Sequence, residues 1–145
     1  MTETLEINNK LLLTRMDEVS KFDSTNIVEY AALADSLITT MIKLKGAGLA
    51  ANQVGKRYRA FAVYVHDYPQ VMFNPKLLAH KGDIVVVKEG CLSYPDIFKE
   101  KSRFSTVLVN WRNHAGTEYQ AELEGIEAIA FQHELNHLNG KEWND

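Results

Sequence analysis

Near its C-terminus the chain reads His133-Glu134-Leu135-Asn136-His137, and no other feature limits its fold so strongly. At about 3.6 residues per turn, histidines four apart lie one above the other on a helix face, where both imidazoles can converge on one metal ion. Glu134 lies about 100° round that helix from His133, close enough to reach a water on the metal without ligating it. The competing reading is a solvated helix face on which these residues fall by chance. Helical context favours the first: Gly125 opens a periodic pattern from Ile126 to Leu138, and Asn139-Gly140 closes it as a C-cap.

Two histidines do not complete a catalytic site, because a tetrahedral divalent metal takes three protein ligands and keeps one position open. A third His about six residues on, as in metzincins, is missing from Lys141-Glu142-Trp143-Asn144-Asp145, and no later helix follows to supply a Glu. The remaining soft ligand is the single cysteine, Cys91, within Glu89-Gly90-Cys91-Leu92-Ser93. Taken alone, such a residue is more often a small buried hydrophobe. Beside a His pair that lacks a partner, a thiolate ligand becomes the better reading. One cysteine also permits no intrachain disulfide, which points to a reducing compartment.

The segment Gly46-Ala47-Gly48-Leu49-Ala50-Ala51-Asn52-Gln53-Val54-Gly55 leads from small residues to an uncharged amide. Its glycines supply easy positive φ and let a ligand backbone approach, and Gln53 can donate to an oxygen on which charge develops. A helix end followed by a turn accounts for the same residues. Without a Gly-Lys-Ser/Thr ending it is not a phosphate loop.

The rest of the chain frames these motifs. With 145 residues, 46% hydrophobic, and neither repeats nor a Pro/Gly/Ser-rich linker, one domain over residues 1–145 is the expectation. Net charge is −3, without the basic excess of a nucleic-acid binder. The longest apolar candidate, Ile27 to Leu44, is broken by Glu29, Asp35 and Lys43, so no membrane span is expected. The acidic start Met1 to Lys10 does not read as a signal peptide. Asn26 with Glu29 resembles a capping box, and Ile27, Ala31, Ala34, Leu37, Ile38, Met41 and Leu44 then recur at helical spacing until Gly46 and Gly48. Tyr58–Val65, Val71–Phe73, Ile84–Val87, Phe104–Trp111 and Thr117–Leu123 read as short strands, with a hairpin turn at Asn113-His114-Ala115-Gly116. Strands bracketed by two helices predict an α+β fold.

Together the three motifs resemble the peptide deformylases, whose signature runs G-x-G-x-A-A-x-Q, then E-G-C-x-S, then Q-H-E-x-D-H. The matching stretches are Gly46 to Gln53, Glu89 to Ser93 and Gln132 to His137, in that order. Asn74-Pro75 and Arg103 also sit where members commonly carry those residues. The family fold is α+β, with small antiparallel β-sheets packed around a central helix that bears the metal ligands, plus here an N-terminal amphipathic helix.

The resemblance implies removal of the formyl group from N-terminal formylmethionine of new polypeptides, releasing formate. It implies that Cys91, His133 and His137 hold one divalent metal, Fe(II) physiologically, with Zn(II), Ni(II) or Co(II) able to replace it. Glu134 would serve as general base to water on the metal and then as acid to the leaving amine. Gln53, the Leu92 backbone N–H and the metal would face the formyl oxygen. Gly46, Ala47, Gly48 and Gly90 would pair with the peptide as an added strand. Val87, Ile126, Ile129 and Ala130 would line the methionine pocket, with helix-to-sheet core packing as the alternative for the two isoleucines. Formylmethionyl peptides are the implied partners, with the ribosome a further candidate, in a monomer of the bacterial cytoplasm.

Some positions depart from the pattern. Asn136 stands where Asp is usual, Ala47 replaces a branched aliphatic, and the segment near Met16 lacks the usual proline. The sequence as given ends at Asp145, where many bacterial members continue. Short forms of this kind occur among bacteriophage-encoded members, so a phage source, a cytoplasm shared with its host and ribosome docking without an extension are expectations. Two readings compete with a deformylase: an H-E-x-x-H peptidase that does not need Cys91, and a metal-stabilised binding module without chemistry.

Overall fold

Ala60–Val65 is an apolar run without polar alternation because both its faces are covered. It is the second strand of a five-stranded antiparallel sheet in a computed structural model that describes residues 3–141. The strands, in sheet order, are β1 (Gly48–Ala50), β2 (Ala60–Val65), β3 (Tyr68–Cys91), β4 (Tyr94–Arg112) and β5 (Glu118–Glu124). Helix α1 (Ile27–Lys43) precedes the sheet and α2 (Gly125–Leu138) follows it. Met1, Thr2 and the tail 142–145, where no further ligand was expected, lie outside the described residues.

One face of β2 gives Phe61 and Val63 to a core shared with Phe131 and Leu138 of α2 and with Val107, Val109 and Leu123. The other gives Ala60 and Ala62 to a second core with Tyr30, Leu33, Leu37 and Met41 of α1, joined by Val71 and Phe73. The first of these cores buries one face of α2 against the sheet, and the helix also buries polar residues: Gln132, His133, Glu134 and His137. Among the described residues no helix is long and apolar enough to cross a membrane.

The α+β expectation, both helices and the Asn113–Gly116 turn match the structure, with the Asn113 N–H donating to Thr117 O at 2.9 Å. Three local expectations need correction. The short strands Val71–Phe73 and Ile84–Val87 belong to one 24-residue strand, so the small sheets are continuous with one another. Four register shifts against β4 break the apolar alternation that would have revealed the connection. Asn26 does not cap α1 with its side chain, since its own backbone is already helical. Asp23 Oδ1 accepts instead from the N–H groups of Thr25 and Asn26, at 3.0 and 3.1 Å. The left-handed residue that ends α1 is Lys45, at φ 56°, while neither Gly46 nor Gly48 has positive φ.

Candidate metal centre

Cys91 is the last residue of β3, and the hairpin turn Leu92-Ser93 leads directly into β4. Its thiol points at the buried face of α2, where His133 and His137 lie one turn apart with their rings edge to face at 76°. Cys91 Sγ lies 3.4 Å from His137 Nε2, and the two Nε2 atoms are 3.2 Å apart. One ligand atom from each of the three residues falls within 4.8 Å of the other two. Sulfur plus two imidazole nitrogens is a donor set that suits Zn(II), Fe(II), Co(II) or Ni(II). The buried Glu134 Oε1 has no hydrogen-bond partner, as expected where a ligand completes the site. The residues present therefore fit a metal ion with one open coordination position.

A buried ion network holds the first histidine. Glu89 Oε1 lies 2.9 Å from His133 Nδ1, and Arg103 grips the same carboxylate through Nε at 2.7 Å and Nη2 at 2.8 Å. Burial works to raise the Glu89 carboxyl, but the bonds from Arg103 and His133 overcome it and bring it down to about 2. Burial likewise opposes charge on His133, yet Glu134, Cys91 and Glu89 outweigh it and push the imidazole upward. A metal competes with that proton at Nε2, so binding releases it. His137 is driven down to about 3, first by burial and then by the charges of His133 and Arg103. It presents a neutral ring.

Glu134 is buried behind Gly48. A Cβ on Gly48 would meet Glu134 Oε2 at 2.6 Å and Cγ at 2.8 Å, so this glycine is required by close approach and not by its φ. Burial raises the Glu134 carboxyl to about 7, with Glu89 adding to the rise and His133 and Arg103 opposing it. A carboxyl poised there can both take and give a proton near neutrality. Gln53 Nε2 donates to Ser93 Oγ at 3.0 Å and makes a longer contact of 3.8 Å with Cys91 Sγ, while its Oε1 accepts from the Ala50 N–H at 2.8 Å.

These groups open onto a cavity of about 380 Å³. Gly46, Ala47, Gly48, Gln53, Gly90, Cys91, Leu92, Ile126, Ile129, Ala130, His133 and Glu134 all line it, as the sequence motifs imply. Val87 does not: it sits on β3 opposite Lys101, short of the cavity wall. His137 lies beneath the floor, 1% exposed. Sequence reasoning missed the mouth. Gly90 pairs with Phe98 and Cys91 with Tyr94, so β4 loops out Pro95, Asp96 and Ile97 there and brings Ile97 and Phe98 to the rim beside Lys45. Gln132, read only as part of the third motif and given no role there, bonds both backbone groups of Phe104, at 2.9 and 2.8 Å, and so fastens α2 to β4. The Gln before the H-E-x-x-H run was the signal available for it.

The profile of the polypeptide deformylase family matches residues 1–145. A peptide deformylase from Thermotoga sp. (strain RQ2) is 39% identical over 130 residues, covering 90% of this chain and 77% of the relative. The crystal structure of peptide deformylase from Thermotoga maritima superimposes with a TM-score of 0.87 at 37% identity, covering 96% of this chain and 94% of that one. The Met-Ala-Ser-bound class I type b enzyme from Acinetobacter baumannii gives 0.83 at 28% identity, covering 99% and 98%. A family match over residues 1–145, relatives matched over 77% to 98% of their own length and a cysteine–histidine–histidine centre in the expected place lead to one conclusion: the chain belongs to the polypeptide deformylase family.

Proposed function

We propose a division of labour among this chain's residues for the family's reaction, in which the N-formyl group of a nascent polypeptide is hydrolysed to formate and a free amine. The observation that carries it is the convergence of Cys91, His133 and His137 within 4.8 Å, with the unpartnered Glu134 carboxylate oxygen buried at the same cavity floor. Cys91 Sγ, His133 Nε2 and His137 Nε2 hold the metal, with Fe(II) as the physiological ion. When bound, such an ion supplies Lewis acidity, acidifying water and polarising a carbonyl.

Glu134 takes a proton from the attacking water at its carboxylate and delivers it to the amide nitrogen as the C–N bond breaks. A carboxyl raised by burial can hold that proton between the two transfers. Gln53 keeps one amide hydrogen on Ser93, and the hydrogen in long contact with Cys91 turns to the formyl oxygen as negative charge grows there. The Leu92 N–H, in the hairpin turn beside Cys91, is the second donor. The peptide lies as an added strand against Gly46, Ala47, Gly48 and Gly90, and the methionine side chain enters between Ile126, Ile129 and Ala130. Met-Ala-Ser bound to the Acinetobacter relative is a peptide of the same kind.

The chain would work as a single monomeric domain in a reducing cytoplasm, that of a bacterium or of a phage's bacterial host, because a thiolate ligand on a redox-active metal is open to oxidation. Nascent chains on the ribosome are the natural source of its substrate. The test is formate release from a formyl-Met tripeptide, anaerobically and with Fe(II). Turnover well above buffer is expected; a metal-loaded protein without turnover would sink the proposal.

A further inference from the structure

Asn52 is fully buried, and its Nδ2 donates to the backbone carbonyl of His137 at 2.7 Å, across 85 residues of chain. Its other polar atom, Oδ1, has no partner and is shielded from solvent, and the same is true of Nδ1 on the His137 ring. The two orphans are complementary. With Nε2 turned toward Cys91 and His133 as a ligand, the His137 proton must reside on Nδ1, making that atom a donor. Oδ1 of Asn52 can only accept. Both belong to residues already joined by a hydrogen bond, and no direct bond joins the two orphans. Leaving either buried and unmet opposes folding.

Resting on the reading that His137 binds the metal through Nε2, we infer that Asn52 is a positioning residue for this ligand. One buried water accepts the His137 Nδ1 proton and donates to Asn52 Oδ1, while Nδ2 fixes the His137 backbone. A single water between one donor and one acceptor satisfies both orphans. The two ligating histidines are then oriented by different means: His133 by the Glu89 carboxylate at 2.9 Å, His137 by a neutral amide acting through water. Outer partners of this kind fix the ring and its tautomer.

The wild-type zinc-loaded protein provides a direct test. Its ¹H–¹⁵N spectrum should place a protected proton on His137 Nδ1, with cross-relaxation to a long-lived water. A ring with no proton on Nδ1, or with one that sees no water, overturns the inference. Chelator-driven metal release from the wild type, Asn52→Asp and Asn52→Leu gives an independent readout. Both variants lose donation to the His137 carbonyl, so their metal-free melting temperatures should fall together. Only Asn52→Asp keeps an acceptor, so its release rate should stay near wild type, whereas Asn52→Leu should release metal about 10–100-fold faster. Equal acceleration in both, or none in Asn52→Leu, contradicts the positioning role. A wild type that binds no metal at all would instead refute the metal centre itself.

Discussion

The carboxylate of Glu89 lies 2.9 Å from Nδ1 of His133, and both groups are buried. That contact fixes which ring nitrogen faces the metal. Arg103 donates to both oxygens of the same carboxylate, from Nε to Oε2 and from Nη2 to Oε1. Replacing Glu89 by Gln keeps the shape and removes the charge, so metal affinity should weaken by about 10–100-fold. Competition with a chelator measures it, and an unchanged affinity would show that His133 is oriented by packing alone.

Gly48→Ala should act on the neighbouring group. The added Cβ would fall 2.6 Å from Glu134 Oε2, forcing the carboxylate out of place without touching Cys91, His133 or His137. Formate release should fall by about 10²–10⁴-fold, the usual worth of a positioned acid–base group, while metal content stays at the wild-type level. Parallel metal analysis and kinetics separate the two effects.

The site was more legible than its support. His133, His137 and Cys91 could be read because metal chemistry demands particular residue types, and for the histidines a particular spacing. Glu89 and Arg103 could not be paired that way, since they lie 14 residues apart on different strands and meet only through the β3–β4 register. The continuity of β3 was hidden by its bulges, and the cavity mouth at Ile97 and Phe98 by the three residues that β4 loops out. Asp23 displaced Asn26 as the cap of α1 because the turn before the helix, and not the helix pattern, decides which side chain reaches the free N–H groups.

Arg59 tests how the end of the metal-bearing helix is held. It is buried and donates to the carbonyls of Met16 and Leu138, at 3.2 and 3.1 Å, and to Asn139 Oδ1 at 2.7 Å. In Arg59→Met the Leu138 carbonyl keeps the Met16 N–H and Asn139 Oδ1 keeps Arg15, while the Met16 carbonyl loses its donor, and unfolding by denaturant should show a loss of about 1–3 kcal/mol. A loss under 0.5 kcal/mol would mean that water replaces the guanidinium without cost.

Tyr58 predicts an alkaline dependence. Its hydroxyl donates to Glu29, and that bond, helped by burial, pushes its pKa from 10.0 up to about 12. The folded protein therefore holds this proton more tightly than the unfolded chain. The resulting stabilisation is complete below about pH 10 and disappears as the pH rises through about 12. In Tyr58→Phe, stability should decline less steeply across that window, as followed by melting temperature against pH. Parallel curves for the two proteins would exclude the contribution.

Glu134→Gln tests the division of labour most directly, with metal content and anaerobic formate release determined on the same sample. On the proposed division Glu134 moves the proton and does not hold the ion, so the variant should retain wild-type metal while its rate falls by about 10²–10⁴-fold. Loss of metal from the variant, or formate release at the wild-type rate, would contradict the assignment.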